Sequence, residues 1–256
     1  MKLNSKSRSQ SLIRGLEILK CFTPDKPVLR LIDLSNQLNI AKSTIFRYLS
    51  TLQDLDYITK DEHSKGYKLG IKVLDLGFTA LKGLGFTDIA TPYVEELARQ
   101  CQESASIAVL DGFYIVYVAR SATKRWMSTN LTIGTKLPAY CTCLGKVLLA
   151  YKPFSEVKKI LKEGELRSYT PNTITNLDVL EKELLSIKEN GYAINNQELE
   201  IGLLSAGAPI YDAKGSVIAA INISMSSARV SLEELKQKYI PKLIQVAEKI
   251  SFKLEL

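Results

Sequence analysis

Histidine is almost missing from this chain of 256 residues: His63 is the only one. Hydrolases of the Ser-His-Asp or Cys-His type need an imidazole poised beside the nucleophile, and His63 lies in the polar stretch DEHSKG, a solvated turn. Cysteine is scarce too. Cys21, Cys101, Cys141 and Cys143 are scattered without a CxxC pair, which argues against a disulfide framework in a reducing compartment. Cys141 and Cys143 have no nearby histidine to complete a zinc site, so neither a metal nor a cofactor is expected. No apolar run approaches the roughly 18–20 residues that span a bilayer. The start, MKLNSKSRSQSLIRGLEIL, is basic but lacks the apolar core and cleavage site of a signal peptide. The expectation is a cytoplasmic protein with no membrane partner.

What is present is ordinary globular material, 46% hydrophobic and 24% charged, which excludes disorder, collagen and coiled-coil rods. The length suggests one or two domains. The net charge of +7 is unevenly placed. Residues 1–84 hold 14 Lys and Arg against 8 Asp and Glu, whereas residues 85–256 hold 20 against 19. Positive charge concentrated in one domain is the footprint of a polyanion partner; a solubilising basic face is the plainer alternative.

The first third reads as short helices. Ser9–Phe22 places Leu12, Leu16 and Leu19 at helical spacing behind a Ser cap. In Leu29–Leu38, Leu31, Leu34 and Leu38 share a face; after Asn39-Ile40-Ala41, Lys42–Leu55 resumes with Ile45, Leu49 and Leu52 inward. Two short helices joined by a tight turn form the helix-turn-helix pattern, which a generic helical hairpin also shares. The second helix opens with Lys42, Ser43, Thr44, Arg47 and Tyr48 on its polar side, and no acidic residue occurs between Asp33 and Asp54. A solvated helix start would favour Asp or Glu; this one suits phosphates and base edges. Next, Tyr57–Thr59 and Tyr67–Gly70 flank a charged turn as a hairpin; after a helix-turn-helix such a hairpin is a wing, whose Lys60, Lys65 and Lys68 could reach phosphates. Ile71–Leu84 carries Ile71, Leu74, Phe78 and Leu81 as a stripe that a partner must cover.

From residue 86 the texture becomes α+β. Asp88–Gln102 is expected helical with Ile89, Tyr93, Leu97 and Cys101 inward. Strands are expected at Ser104–Leu110 and Phe113–Ala119 around Asp111-Gly112, with a weaker one at Trp126–Leu131. Gly145–Tyr151, Ser155–Leu161 and Leu177–Asn190 read as helices, the last ended by Gly191. Strands recur at Tyr192–Asn196, Ala206–Tyr211 and Val217–Ser224. Ser231 and Glu234 form a capping box for a C-terminal helix that Pro241 interrupts.

Over residues 9–256 the chain resembles the IclR family of bacterial transcription regulators. The resemblance rests on SLIRGLEIL, LIDLSNQLNIAKSTIFRYLSTL and the wing, then GTKLPAYCTCLGKVLLA, GYAINNQELEIGLLSAGAPIYDAKG and VIAAINIS, in the family's order. TDIATPYVEELA, PAYCT and RVSLEEL with IPKL resemble the subgroup governing aromatic-acid catabolism (protocatechuate, 4-hydroxybenzoate, the β-ketoadipate pathway). The resemblance implies an α+β chain of two domains: a winged helix-turn-helix at 9–70, a linker helix at 71–85, and a GAF-like effector-binding domain at 86–256. That domain has an antiparallel sheet flanked by helices. Implied partners are double-stranded DNA at a pseudo-palindromic operator, a small carboxylic-acid effector, and further copies of the chain in a homodimer or homotetramer. Arg8, Arg14, Lys42, Ser43, Thr44, Arg47, Tyr48, Lys65 and Lys68 are the candidate DNA contacts.

By motif, the amides of Cys143 and Leu144 would meet an effector carboxylate, with Asn195, Ser205, Asn222 and Ser224 opposite. Family members often carry small or acidic residues where this chain has Leu144, Asn195 and Asn222. Read from the residues themselves, Cys143-Leu144-Gly145 lies where a loop enters a helix, a place that binds carboxylates. Asn222 and Ser224 share one face of a strand. Each is equally compatible with a satisfied polar group in a core. Two other functions remain open: an architectural DNA-binding protein without a ligand, and a hydrolase using Cys143 or Ser205 as nucleophile.

Overall fold

The computed structural model describes residues 9–122 and 131–255. Arg8 and all but the last residue of the strand expected at Trp126–Leu131 lie outside them. Contacts divide the chain into two units, Met1–Gly83 and Leu84–Leu256.

The first unit opens with α1 (Gln10–Cys21), capped by Ser9, whose hydroxyl accepts from Leu12 N. In α2 (Leu31–Leu38), Asp33 accepts from the Arg30 amide at 2.9 Å, and Asn39 ends the helix in the left-handed region at φ 52°. Asparagine tolerates that conformation, so the chain turns within three residues into α3 (Lys42–Asp54). Strands β1 (Ile58–Lys60) and β2 (Tyr67–Leu69) form the wing, and Leu29 bridges to Tyr67 through two backbone hydrogen bonds. Ile18, Cys21, Leu34, Ile45, Leu49, Ile58 and Tyr67 build the core. The inward face expected for α1 needs correcting. Leu12 and Leu16 are 64% and 50% exposed, while Ile18 and Cys21 are buried, because the three-helix core grips only the C-terminal end of α1. Helix α4 (Val73–Gly83) buries no residue at all.

In the second unit, α5 (Thr87–Cys101) turns Ala90, Val94, Leu97, Ala98 and Cys101 inward. Ile89, expected among them, is exposed. The stripe is set by small Ala90 and Ala98, which let the helix lie close to the sheet. That sheet is antiparallel and six-stranded, in the order β5-β4-β3-β8-β7-β6. Its strands are β3 (Ser104–Asp111), β4 (Tyr114–Ser121), β5 (Lys136–Pro138), β6 (Ala193–Asn196), β7 (Leu203–Tyr211) and β8 (Val217–Ser226). Strand β5 was not expected, being only three residues long. One face packs on α5 and on α10 (Ile240–Glu255). The other takes α6 (Cys143–Ala150), with α7 (Phe154–Leu161) and α8 (Leu177–Asn190) beside it; between α8 and α10 lies the short α9 (Leu232–Glu234). Helix α6 starts two residues earlier than its sequence suggests, because Thr142 caps it.

Candidate functional site

Strand register explains how the candidate effector residues come together. Ser104, Ser224, Ser205 and Asn195 are paired in succession across β3, β8, β7 and β6. The neighbouring row runs Arg120, Ser106, Asn222 and Gly207. Directly paired residues share a face, so both rows lie on the side covered by α6. That face carries hydroxyls and carboxamides where the opposite face carries Ala105, Ile107, Ile221 and Ile223.

Two glycines allow α6 to approach this polar floor. A Cβ on Gly145 would stand 2.2 Å from Ala139 O, and one on Gly207 would stand 3.1 Å from the Cys143 backbone. The first turn of α6 therefore sits directly over β7. Thr142 Oγ1 accepts from Gly145 N at 3.1 Å and Thr142 O from Lys146 N at 2.9 Å. The amides of Cys143 and Leu144 precede these bonds and are the helix's leading donors. Between α6 and the sheet is a cavity of about 70 Å³ lined by Cys143, Leu144, Asn195, Ser205, Asn222 and Ser224, all six candidates.

Tyr117, Arg120, Glu103 and Arg229 also line it, and sequence reasoning missed all four. Glu103 and Arg229 form a two-pronged ion pair at 2.8 and 3.0 Å. Arg120 donates from Nη1 to Ser106 Oγ at 3.1 Å, while its buried Nε has no acceptor. Burial pushes its guanidinium below the ordinary arginine value, although nearby Tyr117 opposes the shift. The signal that could have found it was an arginine in an otherwise apolar strand.

In the first unit, the outer side of α3 presents Lys42, Ser43 and Arg47 to solvent, with Thr44 and Tyr48 half-buried. Its first turn contains no acid. Arg14 is half-buried on α1, and Lys65 and Lys68 lie on the wing, Lys68 reaching Asp61 at 3.9 Å. Phe46, which sequence reasoning passed over, is 53% exposed on the same helix; an outward aromatic there suits a thymine methyl.

Residues 78–252 match the family model "Bacterial transcriptional regulator IclR C-terminal", and residues 11–62 match "IclR helix-turn-helix domain". The chain belongs to the IclR family. The Pca regulon regulatory protein of Pseudomonas putida is 36% identical over 95% of this chain and 84% of its own length. The HTH-type transcriptional regulator KdgR of Escherichia coli K12 is 34% identical over 94% and 91%. Among solved structures, a transcriptional regulator from Rhodococcus sp. RHA1 superposes with TM-score 0.84 at 39% identity, covering 96% of this chain and 98% of that one. The inducer-binding domain of Acinetobacter PobR, a double mutant in complex with 3-hydroxybenzoic acid, gives TM-score 0.60 at 28% identity over 64% and 96%. The protein is thus a transcriptional regulator rather than an enzyme, and its helix-turn-helix is α2–α3.

The cysteines of this IclR-family regulator are consistent with that. Burial pushes the Cys141 thiol up to about 12 and raises Cys143 as well, the opposite of what a nucleophile needs. Behind the pocket, Lys146 is 1% exposed and donates to Glu183 (2.8 Å), Glu198 (2.6 Å) and the Ile194 carbonyl (2.7 Å). Asn195 ties this ionic cluster to the cavity, donating to Cys141 O at 2.5 Å and accepting from Glu198 N at 3.1 Å. Among the described residues no group of His, Cys, Asp and Glu is arranged to hold a metal, and no helix is long and apolar enough to cross a membrane.

Proposed function

We propose that this IclR-family protein regulates catabolic genes in response to a small carboxylic acid bound between α6 and the sheet. The observation that carries the reading is convergence. Residues from α6, β6, β7 and β8, up to 81 positions apart in sequence, line one cavity with donors and acceptors. Short polar groups in an enclosed, partly apolar site are what orients a small ligand. The leading amides of α6 suit the carboxylate. An aromatic acid is favoured by two relatives: one is named for the Pca regulon, the other holds 3-hydroxybenzoic acid. The cavity of about 70 Å³ is roughly half the size of an engineered cavity that admits benzene, so an aromatic ring requires the pocket to open as it binds.

The DNA contacts proposed are Lys42, Ser43, Thr44, Arg47 and Tyr48 on α3, together with Arg14 on α1, Lys65 and Lys68 on the wing, and Arg8, which lies outside the described residues. The exposed apolar stripe of α4, with Leu74 49% and Phe78 59% exposed, supports assembly with further copies, and a dimer would read a pseudo-palindrome. The effector acts by binding one arrangement of the assembly better than another. The test combines thermal shifts against aromatic and short-chain carboxylic acids with affinity for upstream DNA. An acid that raises stability and changes DNA affinity is expected. DNA binding that no acid alters would leave a ligand-independent architectural protein.

A further inference from the structure

Among the described residues, one charge lining the cavity has no carboxylate to neutralise it. Of the cavity's charged side chains, Glu103 and Arg229 satisfy each other. Arg120 has no carboxylate partner among the described residues, and the remaining residues of the chain include no Asp or Glu. Its bond to Ser106 uses Nη1 and leaves Nε buried without an acceptor. An unmet buried donor on this half-buried cation costs free energy, and an anionic ligand in the cavity would satisfy it.

A second orphan lies one strand beyond Ser106. Asn222 is 4% exposed, and its Nδ2 donates to Ser224 Oγ at 2.9 Å and to Cys143 Sγ at 3.7 Å. Its Oδ1 is buried with no donor. Arg120 and Asn222 occupy one register row, separated only by Ser106, and both line the cavity. One wall thus offers an unmet cationic donor and an unmet neutral acceptor two strands apart. Adjacent strands are about 4.8 Å apart, so the backbones carrying these groups are about 10 Å apart and their side chains lean over the same small space.

We infer that Arg120 is the residue that makes this pocket select an anion, and that Asn222 reads a hydroxyl donor on the same ligand, so that the effector is a hydroxycarboxylic acid. This deepens the reading of the cavity as an effector site and rests on it. The partial positive charge at the start of α6 favours an acid over an amide, and Arg120 adds a full charge with no carboxylate partner among the described residues. The carboxylate has two oxygens and about four acceptor positions, enough to meet both the α6 amides and the guanidinium. Arg120 thus acts as a specificity-determining counter-ion, and Asn222 as the gauge of ligand hydroxylation.

The test uses the full-length protein and matched probes in thermal-shift and calorimetric titrations. The sets are 3-hydroxybenzoate, benzoate and 3-hydroxybenzamide, and lactate, propionate and lactamide. In the wild type, the hydroxy acid of at least one set is expected to bind about tenfold or more tighter than its amide and its deoxy acid. Arg120→Gln, which keeps a donor for Ser106, should cut the preference for acid over amide to the part that the α6 amides supply. Its ligand-free melting temperature should be no lower than that of the wild type, since an uncompensated charge is gone. Asn222→Leu should remove the preference for the hydroxylated acid while leaving that for acid over amide. A preference for acid that Arg120→Gln leaves undiminished, or a wild type that binds amides as well as acids, overturns the assignment but leaves an effector pocket. Binding of none of the six probes, with operator DNA still bound, overturns the effector reading and this inference together.

Discussion

Tyr117 and Arg120, three residues apart on β4, face the same side of the sheet. Regular alternation would put them on opposite sides. The exception arises where the register between β3 and β4 slips: Ala119 pairs with Ile107, but Tyr117 pairs with Ala108. Val118 is the extra residue of a β-bulge, a device that re-aims side chains. Without it Arg120 would be driven into the apolar face against α5.

The closest backbone approach in the site gives a stability prediction. Gly145→Ala should destabilise the second unit by about 1–3 kcal/mol through overpacking, because its Cβ would meet the Ala139 carbonyl at 2.2 Å. Urea unfolding followed by far-UV dichroism checks this. Gly83→Ala, with open space around it, should cost nothing comparable.

Lys146 predicts the response to alkali. The two carboxylates outweigh its burial and hold its ammonium above the ordinary 10.5. The folded state therefore grips the proton more tightly than the unfolded state. Its contribution is complete below 10.5 and disappears as pH rises through the raised value. Lys146→Met should lose about 3–5 kcal/mol at neutral pH, leaving Glu198 buried without a counter-charge. Melting temperatures above pH 10.5 should fall less steeply for the variant than for the wild type.

On α3, Arg47→Ala should weaken operator binding while barely changing the melting temperature, since Arg47 is exposed. If it meets a phosphate, the slope of log K against log salt should become shallower by about 0.9. Fluorescence anisotropy at several salt concentrations measures both quantities. An unchanged affinity would remove Arg47 from the interface.

Helix α4 predicts an assembly defect without unfolding. Leu74→Glu with Phe78→Glu places charge on side chains that are already exposed in the single chain, so the monomer should keep its dichroism. Sedimentation should then show a smaller species than the wild type and weaker binding to a two-half-site operator.

Much of the first unit was legible because short amphipathic helices, and an α3 with no acid before Asp54, leave local signals. The buried face of α1 was not, because leucines at helical spacing do not reveal which end of a helix a neighbouring core grips. The pocket was legible only in part. Asn195, Ser205, Asn222 and Ser224 sit on regular strands, where alternation predicts direction. Arg120 and Tyr117 stayed hidden because a bulge has no sequence signature as plain as a turn. Glu103 and Arg229 meet from 126 positions apart, a pairing no local pattern encodes. The start of α6 was misplaced because Gly145 reads as a boundary when it is in fact a contact surface.

The two polar rows on the sheet have a consequence for how such a protein can change. Alternation assigns cavity-facing and core-facing duties to different residues of the same strands. Ser205, Asn222 and Ser224 can be exchanged while Ala206, Ile221 and Ile223 keep the opposite face packed. Substitutions on the cavity side can therefore change what the cavity accepts while the packing of the opposite face against α5 and α10 is kept. The sheet works as a keyboard whose keys can be relabelled without rebuilding the frame.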